Sequence, residues 1–307
     1  MPAHFADRLM AAIKEKDSRV CVGIDPVPER MPDVLLPPDG KWTEHAISEA
    51  FNEFCSRIIR AVADHAAVVK FNSAFFEALS PLGVGLLDSL VSTADKLGIV
   101  TILDAKRSDI GSTAAAYARA VFGHYPADQG AVPDAVTVNP YLGSDGVMPF
   151  LAEADELGAG IFVLVKTSNP SSSEMQDLDA GGWPVYRHVA ELVRQWGEQR
   201  VGESGWSSVG AVAGATWPRQ LTELRQAMPH TPLLVPGYGA QGGGAKDVMA
   251  AFDEEGLGAI VNSSRGIIYA SARDPYADRF GPDQWDRAAA AAAEDMRKSL
   301  NAAIKGR

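Results

Sequence analysis

The chain has few cysteines and no long hydrophobic run. Its only two cysteines among 307 residues, Cys21 and Cys55, have neither the spacing of a metal site nor that of a redox pair. They are expected to be reduced and packed, as in a cytoplasmic protein. No apolar stretch approaches the length of a membrane span or a signal-peptide core, so we expect neither membrane insertion nor secretion.

Positive charge is also scarce. The 28 Lys and Arg residues are outnumbered by 39 Asp and Glu residues, which gives a net charge of −11. Proteins that bind nucleic acid non-specifically need a basic face to neutralise phosphates, so the composition argues against this class. An anionic ligand would have to find a local positive pocket.

What the chain does contain is a regular alternation of short apolar runs and helical patterns. Continuous rather than alternating apolarity is typical of strands covered on both faces, as in a parallel sheet. Eight such units without a break in composition predict a single (β/α)8 TIM barrel over residues 1–307, with an open doubly wound sheet as the alternative. The predicted strands are 20–24, 67–71, 100–103, 135–138, 160–165, 209–213, 232–235 and 259–261.

Two long segments interrupt this alternation. Residues 26–41 contain five prolines, and residues 169–184 are rich in Ser, Asp and Gly. Both follow predicted strands, so both are expected on the face where barrel active sites lie. The second segment is a candidate lid, with a disordered surface loop as the alternative.

Charged residues gather at the ends of the second and third predicted strands. Asp104, Lys106 and Asp109 follow the apolar run 99–103, and Lys70 lies at the end of the preceding strand. Residues two apart on a strand share a face, so Asp104 and Lys106 should point the same way, with Asp109 in the loop beyond. Alternating charges would keep both lysines charged in a dry pocket suited to electrostatic catalysis. The alternatives are a surface salt-bridge cluster and a snorkelling edge lysine.

Glycine-rich segments follow the last two predicted strands. They are residues 236–244 and Asn262–Gly266. Free backbone amides, a helix amino terminus after Gly266 and the Arg265 guanidinium together predict a phosphate site, which barrels usually place here.

Five sequence blocks stand out in order along the chain. They are residues 23–26, 69–72, 104–113, 166–170, and 235–243 with 264–266. Together they resemble the orotidine 5′-phosphate decarboxylase family, and in particular its longer bacterial subgroup, type 2. The resemblance implies a cofactor-free decarboxylation of orotidine 5′-phosphate to uridine 5′-phosphate (UMP) in de novo pyrimidine biosynthesis.

The resemblance also implies roles for individual residues. Lys106 would donate the proton to carbon six, Asp104 would lie against the substrate carboxylate, and Lys70 would bind ribose and hold Asp104. Asp109 and Thr113 would reach across a dimer interface into the neighbouring site, which implies an obligate homodimer. The implied substrate contacts are Asp25 with ribose, Ser168 with the pyrimidine, and Gln241 and Arg265, beside Gly266, with phosphate.

Two other functions remain open from the sequence. Related barrels use a similar Asp-x-Lys-x-x-Asp strand with Mg²⁺ to act on sugar phosphates, but they need a further carboxylate ligand. Lys70 at the end of the second strand would repel a metal, so we predict no metal site. The second alternative is a non-catalytic barrel that binds a phosphorylated nucleoside, although such a protein has no need to collect four charges.

Overall fold

The computed structural model describes residues 3–37, 40–123, 131–239 and 242–306. Eight parallel strands pair in sequence order and close into a barrel, which confirms the predicted (β/α)8 fold. The third and eighth strands extend beyond the predicted apolar runs and include polar residues. The strands are β1 (Val20–Ile24), β2 (Val68–Asn72), β3 (Val100–Arg107), β4 (Ala135–Val138), β5 (Gly160–Lys166), β6 (Val209–Ala213), β7 (Leu233–Val235) and β8 (Ala259–Ser263).

Helices cover the outside of the barrel. After β7 the described chain forms a 3-10 helix, Lys246–Ala251, where a regular barrel has an α-helix. The α-helices are α1 (Phe5–Glu15), α2 (Glu44–Val62), α3 (Ser73–Glu77), α4 (Ser80–Lys96), α5 (Gly111–Phe122), α6 (Ser144–Leu157), α7 (Ser173–Gln176), α8 (Val185–Gly197), α9 (Pro218–Ala227), α10 (Arg265–Ile268) and α11 (Trp285–Lys305).

Helix α1 closes the amino-terminal end of the barrel. Its Phe5 ring packs edge-on against Phe162 of β5, with ring centroids 5.9 Å apart. Gly160 lies directly against the Phe5 ring, where a Cβ atom would clash with it. Because this end is filled by side chains, the opposite, carboxyl-terminal end is left for a ligand.

The long segments after β1 and β5 both lie at that carboxyl-terminal end. The first forms two 3-10 turns, Pro28–Arg30 and Asp33–Leu35. The second forms a 3-10 turn, Pro170–Ser172, followed by the short helix α7. In the described part of the chain, no helix combines the length and the apolarity needed to cross a bilayer.

Candidate active site

Strands β2 and β3 bring three charged side chains together. In the register of the two strands Asn72 lies beside Asp104. The Lys70 ammonium is 2.7 Å from Asp104 Oδ2, and the Lys106 ammonium is 2.6 Å from Asp104 Oδ1. Lys70, Asp104 and Lys106, the charged triad, therefore form one continuous ionic chain with the carboxylate in the centre.

An irregularity in β3 sets the direction of Lys106. The β3–β4 register shifts between Leu103 and Arg107, and Lys106 has a φ of 48°, in the left-handed region. The Lys106 amide donates a 3.0 Å hydrogen bond to Thr137 Oγ1, and that hydroxyl donates to Asp104 Oδ1 at 2.9 Å. Such a conformation costs about 1–3 kcal/mol for a residue other than glycine and is concentrated at functional sites. Thr137 thus fixes both the strained backbone and the carboxylate.

The charged triad is held in its ionised form by its own geometry. Burial would raise the pKa of Asp104, but the Lys70 and Lys106 ammonium groups outweigh it and hold that pKa well below its usual range. Burial would lower the pKa of Lys70, but the Asp104 and Asp25 carboxylates raise it above its ordinary value. Lys70 is only 4% exposed, whereas the Lys106 side chain is 47% exposed. One lysine is therefore locked in place, and the other faces the opening.

A cavity of about 580 Å³ lies over the charged triad. Asp25, at the end of β1, lines it, and its buried Oδ1 atom has no hydrogen-bond partner among the described residues. An unpaired buried carboxylate oxygen is costly unless a ligand donates to it, so this atom is placed to accept a hydrogen bond from a ligand. The predicted ribose contact of Asp25 is consistent with this position.

Tyr269 holds the loop that carries Asp25. Its hydroxyl accepts a 2.7 Å hydrogen bond from the Val27 amide and donates to the Asp25 carbonyl at 3.2 Å. The ring stacks on Phe54, with centroids 5.5 Å apart. Because Tyr269 directly follows α10, it connects the β1 loop to the segment after β8.

The segments after β7 and β8 form another side of the cavity. Gly237, Ser264 and the exposed Arg265 line it. Arg265 begins α10, so this helix starts two residues earlier than the sequence predicted, and Gly266 lies within its first turn. A Cβ atom on Gly266 would lie 2.7 Å from Ser263 Oγ. Gln241 lies outside the described residues, so its predicted phosphate contact stays a prediction.

Ser168 lines the same cavity from the segment after β5. Its carbonyl accepts a 3.3 Å hydrogen bond from Thr216, and Gly214 approaches so closely that a Cβ atom there would lie 2.8 Å from Ser168 Cα. Residues of the candidate lid also line the cavity, among them Met175 and Gln176. The segment after β5 is thus structured and lines the cavity, and its role as a lid stays a prediction.

Two predicted site residues lie apart from the charged triad. Asp109, in the loop after β3, accepts a 2.8 Å hydrogen bond from the Ile110 amide, and Thr113 lies on the exposed side of α5. Neither residue lines the cavity that contains Asp104. The described structure of the single chain brings together Lys70, Asp104 and Lys106 but not Asp109.

Sequence reasoning missed Thr137 and Tyr269. Thr137 is the one hydroxyl residue within the otherwise apolar strand β4, and this contrast is the sequence feature that could have indicated its role. Tyr269 follows the segment Asn262–Gly266 as an ordinary aromatic residue and carries no such signal. No group of three or more His, Cys, Asp or Glu residues in the described ranges is arranged to hold a metal ion.

The fold and the site define a barrel enzyme with a preset ionic cluster beside an arginine-bearing, glycine-rich rim. A family model described as "Orotidine 5′-phosphate decarboxylase / HUMPS family" matches residues 18–279. The chain belongs to this family, which confirms the resemblance found in the sequence.

Individual relatives match over nearly the whole chain. The orotidine 5′-phosphate decarboxylase of Rhodopirellula baltica is 46% identical over 297 residues, covering 96% of this chain and 98% of the relative. That of Caldicellulosiruptor saccharolyticus is 39% identical, covering 98% and 99%. The solved OMP decarboxylase structure from Leishmania donovani superposes with a TM-score of 0.72 at 32% identity, covering 98% of this chain and 99% of that one.

Proposed function

We propose that this chain carries out its family's decarboxylation with the charged triad. The chain is a carboxy-lyase of pyrimidine biosynthesis that converts orotidine 5′-phosphate to UMP and CO₂. The observation that carries the mechanism is the ionic chain from Lys70 through Asp104 to Lys106, placed under a cavity with Arg265 on its rim. No step needs an oxidant or a reductant.

Lys106 is the proton donor in this proposal. The bond between carbon six and the carboxylate breaks, CO₂ leaves, and the electron pair stays on carbon six. The Lys106 ammonium stabilises this carbanion and then transfers its proton to carbon six, which completes UMP. Because the Lys106 side chain is 47% exposed, water can reprotonate it once the product has left.

Asp104 and Lys70 prepare the site before substrate binds. Asp104 accepts from both ammonium groups and from Thr137, so its oxygens are fixed by hydrogen bonds. In the proposed complex it lies against the substrate carboxylate, and the site becomes better matched in charge as that carboxylate leaves as neutral CO₂. Preorganised charge of this kind stabilises the transition state without reorganisation during the reaction.

The remaining contacts bind the parts of the substrate that do not react. Asp25 accepts from ribose, and Ser168 contacts the pyrimidine. Arg265, with Gln241 and the backbone at Gly266, binds the phosphate. Binding energy gained at these groups holds the reacting carbon against Lys106, which raises the rate of the chemical step.

We also propose that the chain acts as a homodimer with shared sites. Exposed apolar side chains lie around Asp109 and Thr113, and a monomer would leave this surface in water. Helix α6 lies beside Asp109. A Cβ atom added at Gly146 of this helix would be 3.2 Å from the Asp109 carbonyl oxygen. The exposed apolar residues of this surface are Ile110, Tyr117, Tyr141, Leu142 and Met148.

A mixing experiment tests the shared site. Lys106→Ala and Asp109→Asn are each expected to be inactive alone. If Asp109 serves the neighbouring subunit, dissociating and re-associating an equal mixture should restore about a quarter of wild-type activity, because half of the dimers are mixed and each has one intact site. No recovery, with mixed dimers demonstrated by a tag on one variant, would contradict sharing.

The metal-dependent alternative is disfavoured by the chemistry of the site. The buried Lys70 ammonium occupies the position beside Asp104 where a metal ion would need a ligand oxygen. A cation there would be repelled by both lysines of the triad. The charged triad at the cavity also argues against a barrel that only binds a nucleotide, because binding alone does not require these three charges together.

The experiment that tests the function is a spectroscopic assay with EDTA-treated protein. Orotidine 5′-phosphate loses its characteristic ultraviolet absorbance when carbon six loses its carboxylate. We expect the chelator-treated protein to cause this change at the rate of the untreated protein. No change would refute the decarboxylase function, and a change that needs added Mg²⁺ would favour the metal-dependent alternative.

The cytoplasm is the proposed location of this reaction. Cys21 and Cys55 are both free and buried, as expected of thiols in a reducing compartment. Burial raises the pKa of each thiol and keeps it in the unreactive protonated form.

A further inference from the structure

Lys166 is a fully buried lysine that the proposed reaction does not use. It is the last residue of β5 and has no exposed surface. Its ammonium lies 2.7 Å from Asp177 Oδ1 and donates to Ser172 Oγ at 3.1 Å. Both partners belong to the segment that follows β5 and covers the cavity. A single barrel residue therefore holds this segment at two points.

Aromatic rings enclose the same ammonium group. It lies 4.6 Å from the ring centroid of Trp217 and 5.8 Å from that of Tyr186. A cation over aromatic faces is stabilised where water is excluded. The Trp217 indole also donates a 2.9 Å hydrogen bond to the Thr167 carbonyl. The Lys166 ammonium is thus enclosed by aromatic rings and hydrogen-bond acceptors between the barrel and the covering segment.

A second connection fixes the same segment. The Thr167 amide donates to Gln176 Oε1 at 2.9 Å, and Gln176 Nε2 donates to Thr167 Oγ1 at 2.8 Å. The segment is therefore held near its middle at Ser172 and at its carboxyl end at Gln176 and Asp177, by contacts with Thr167 and Lys166. Ser168, Met175 and Gln176, which this arrangement holds in place, line the cavity.

The chemistry of Lys166 is unusual for a purely structural position. Burying an ion pair is costly, and well-packed apolar residues of similar volume often give equal or greater stability. Unlike an apolar contact, a hydrogen-bonded ion pair fixes the distance and the direction between its two side chains. The buried charge at Lys166 is consistent with a requirement for a defined position of the covering segment.

We propose that Lys166 is a positioning residue that sets the covering segment, residues 168–177, against the pyrimidine end of the bound nucleotide. This inference rests on the proposed function. Asp25 and Arg265, which contact ribose and phosphate in that proposal, belong to other loops. The effect of Lys166 should therefore be confined to ligands that carry the base.

Two competitive inhibitors separate the halves of the site. In the proposed complex, UMP would contact both the covering segment and the Asp25 and Arg265 side of the cavity, whereas ribose 5-phosphate, which has no base, would contact only the Asp25 and Arg265 side. We expect Lys166→Met to weaken UMP binding by about tenfold to a hundredfold, the range that corresponds to one charge-assisted hydrogen bond. The inhibition constant of ribose 5-phosphate should stay within about twofold of wild type, the spread expected for an uncoupled site.

Asp177→Asn is the second variant. It weakens the Lys166–Asp177 ion pair at its partly exposed member and changes no residue of the barrel strands. It should weaken UMP binding in the same direction, and because it leaves the buried Lys166 ammonium without its carboxylate it should also lower the melting temperature. Arg225→Met is the matched control for Lys166→Met, because it also replaces an enclosed cation by methionine. Arg225 donates to the carbonyls of Ala251, Met228 and Gly258, away from the cavity, so its loss should lower stability and leave both inhibition constants unchanged.

The outcomes distinguish this inference from its alternatives. Equal weakening of UMP and ribose 5-phosphate, or no weakening of either, would overturn the positioning role. A lower melting temperature of Lys166→Met with unchanged UMP binding would show that Lys166 is only structural. If the wild-type chain failed to decarboxylate orotidine 5′-phosphate, the proposed function would fall, while dissociation constants of UMP and ribose 5-phosphate, measured by calorimetric titration, would still report on Lys166.

Discussion

Asp104→Asn is expected to be the most destabilising single change in the charged triad. Asp104 is the carboxylate 2.7 Å from the Lys70 ammonium, and Lys70 is only 4% exposed. The substitution leaves this buried cation with Asp25 as its remaining anionic neighbour. Removing one partner of a buried ion pair costs about 3–5 kcal/mol, because the other charge stays out of water. We expect the free energy of unfolding to fall by an amount in this range.

The two lysines of the triad should differ in the same assay. Lys106 has a 47% exposed side chain, and an exposed ion pair contributes about 0–1 kcal/mol. Lys106→Met should therefore cost about 1 kcal/mol or less. Lys70→Met removes the buried cation but leaves Asp104 paired with Lys106 and Thr137, so its cost should lie between the other two.

Urea denaturation at neutral pH and one protein concentration measures all three variants, with far-ultraviolet circular dichroism as the signal. The expected order of destabilisation is Asp104→Asn, then Lys70→Met, then Lys106→Met. A loss for Lys106→Met as large as that for Asp104→Asn would refute the assignment of Lys106 as the solvent-facing member. An unchanged free energy of unfolding for Asp104→Asn would show that Lys70 does not depend on this carboxylate.

Three further changes test other parts of the site. Tyr269→Phe removes the hydroxyl that holds the Asp25 loop, so KM should rise in steady-state kinetics. The free energy of unfolding, measured by urea denaturation, should fall by about 1–3 kcal/mol. An unchanged KM would contradict the role of Tyr269 in holding this loop. Gly214→Ala places a Cβ atom 2.8 Å from Ser168 Cα, so Ser168 must move and kcat/KM should fall; wild-type kinetics would contradict this close contact. The lowered pKa of Asp104 stabilises the folded chain above the carboxyl group's ordinary pKa of about 4. This stabilisation is lost as the pH falls, so wild type should lose more free energy of unfolding than Asp104→Asn between about pH 4 and pH 2; parallel curves would contradict it.

The sequence predicts the barrel well because its strands are buried on both faces. β1, β4 and β6 have the predicted bounds, since an apolar run begins and ends where the strand does. β3 extends to Arg107, four residues past the apolar run, because the carboxyl end of a barrel strand faces the ligand and carries charged side chains. Apolarity therefore marks the buried part of a strand and misses its polar carboxyl end.

The site is predictable in composition but not in geometry. Lys70, Asp104 and Lys106 are recognisable as charges at neighbouring strand ends, and the structure brings them together. The left-handed backbone of Lys106 has no signature in the sequence, because a lysine there is disfavoured locally and only the surrounding β3–β4 contacts impose it. Lys166 stands out in the sequence only as part of the block 166–170, because its partner Asp177 lies in an irregular segment that has no periodic pattern.

Lys106→Ala is the most direct test that Lys106 is the proton donor. The substitution removes the ammonium and leaves the Lys70–Asp104 pair, Asp25 and Arg265 in place. Binding of UMP, measured by calorimetric titration, should stay within about tenfold of wild type, because its phosphate and ribose contacts are retained. Turnover of orotidine 5′-phosphate should fall by at least about 10²–10⁴-fold, the contribution typical of a positioned proton donor. A variant that binds UMP and still decarboxylates at close to the wild-type rate would contradict the mechanism.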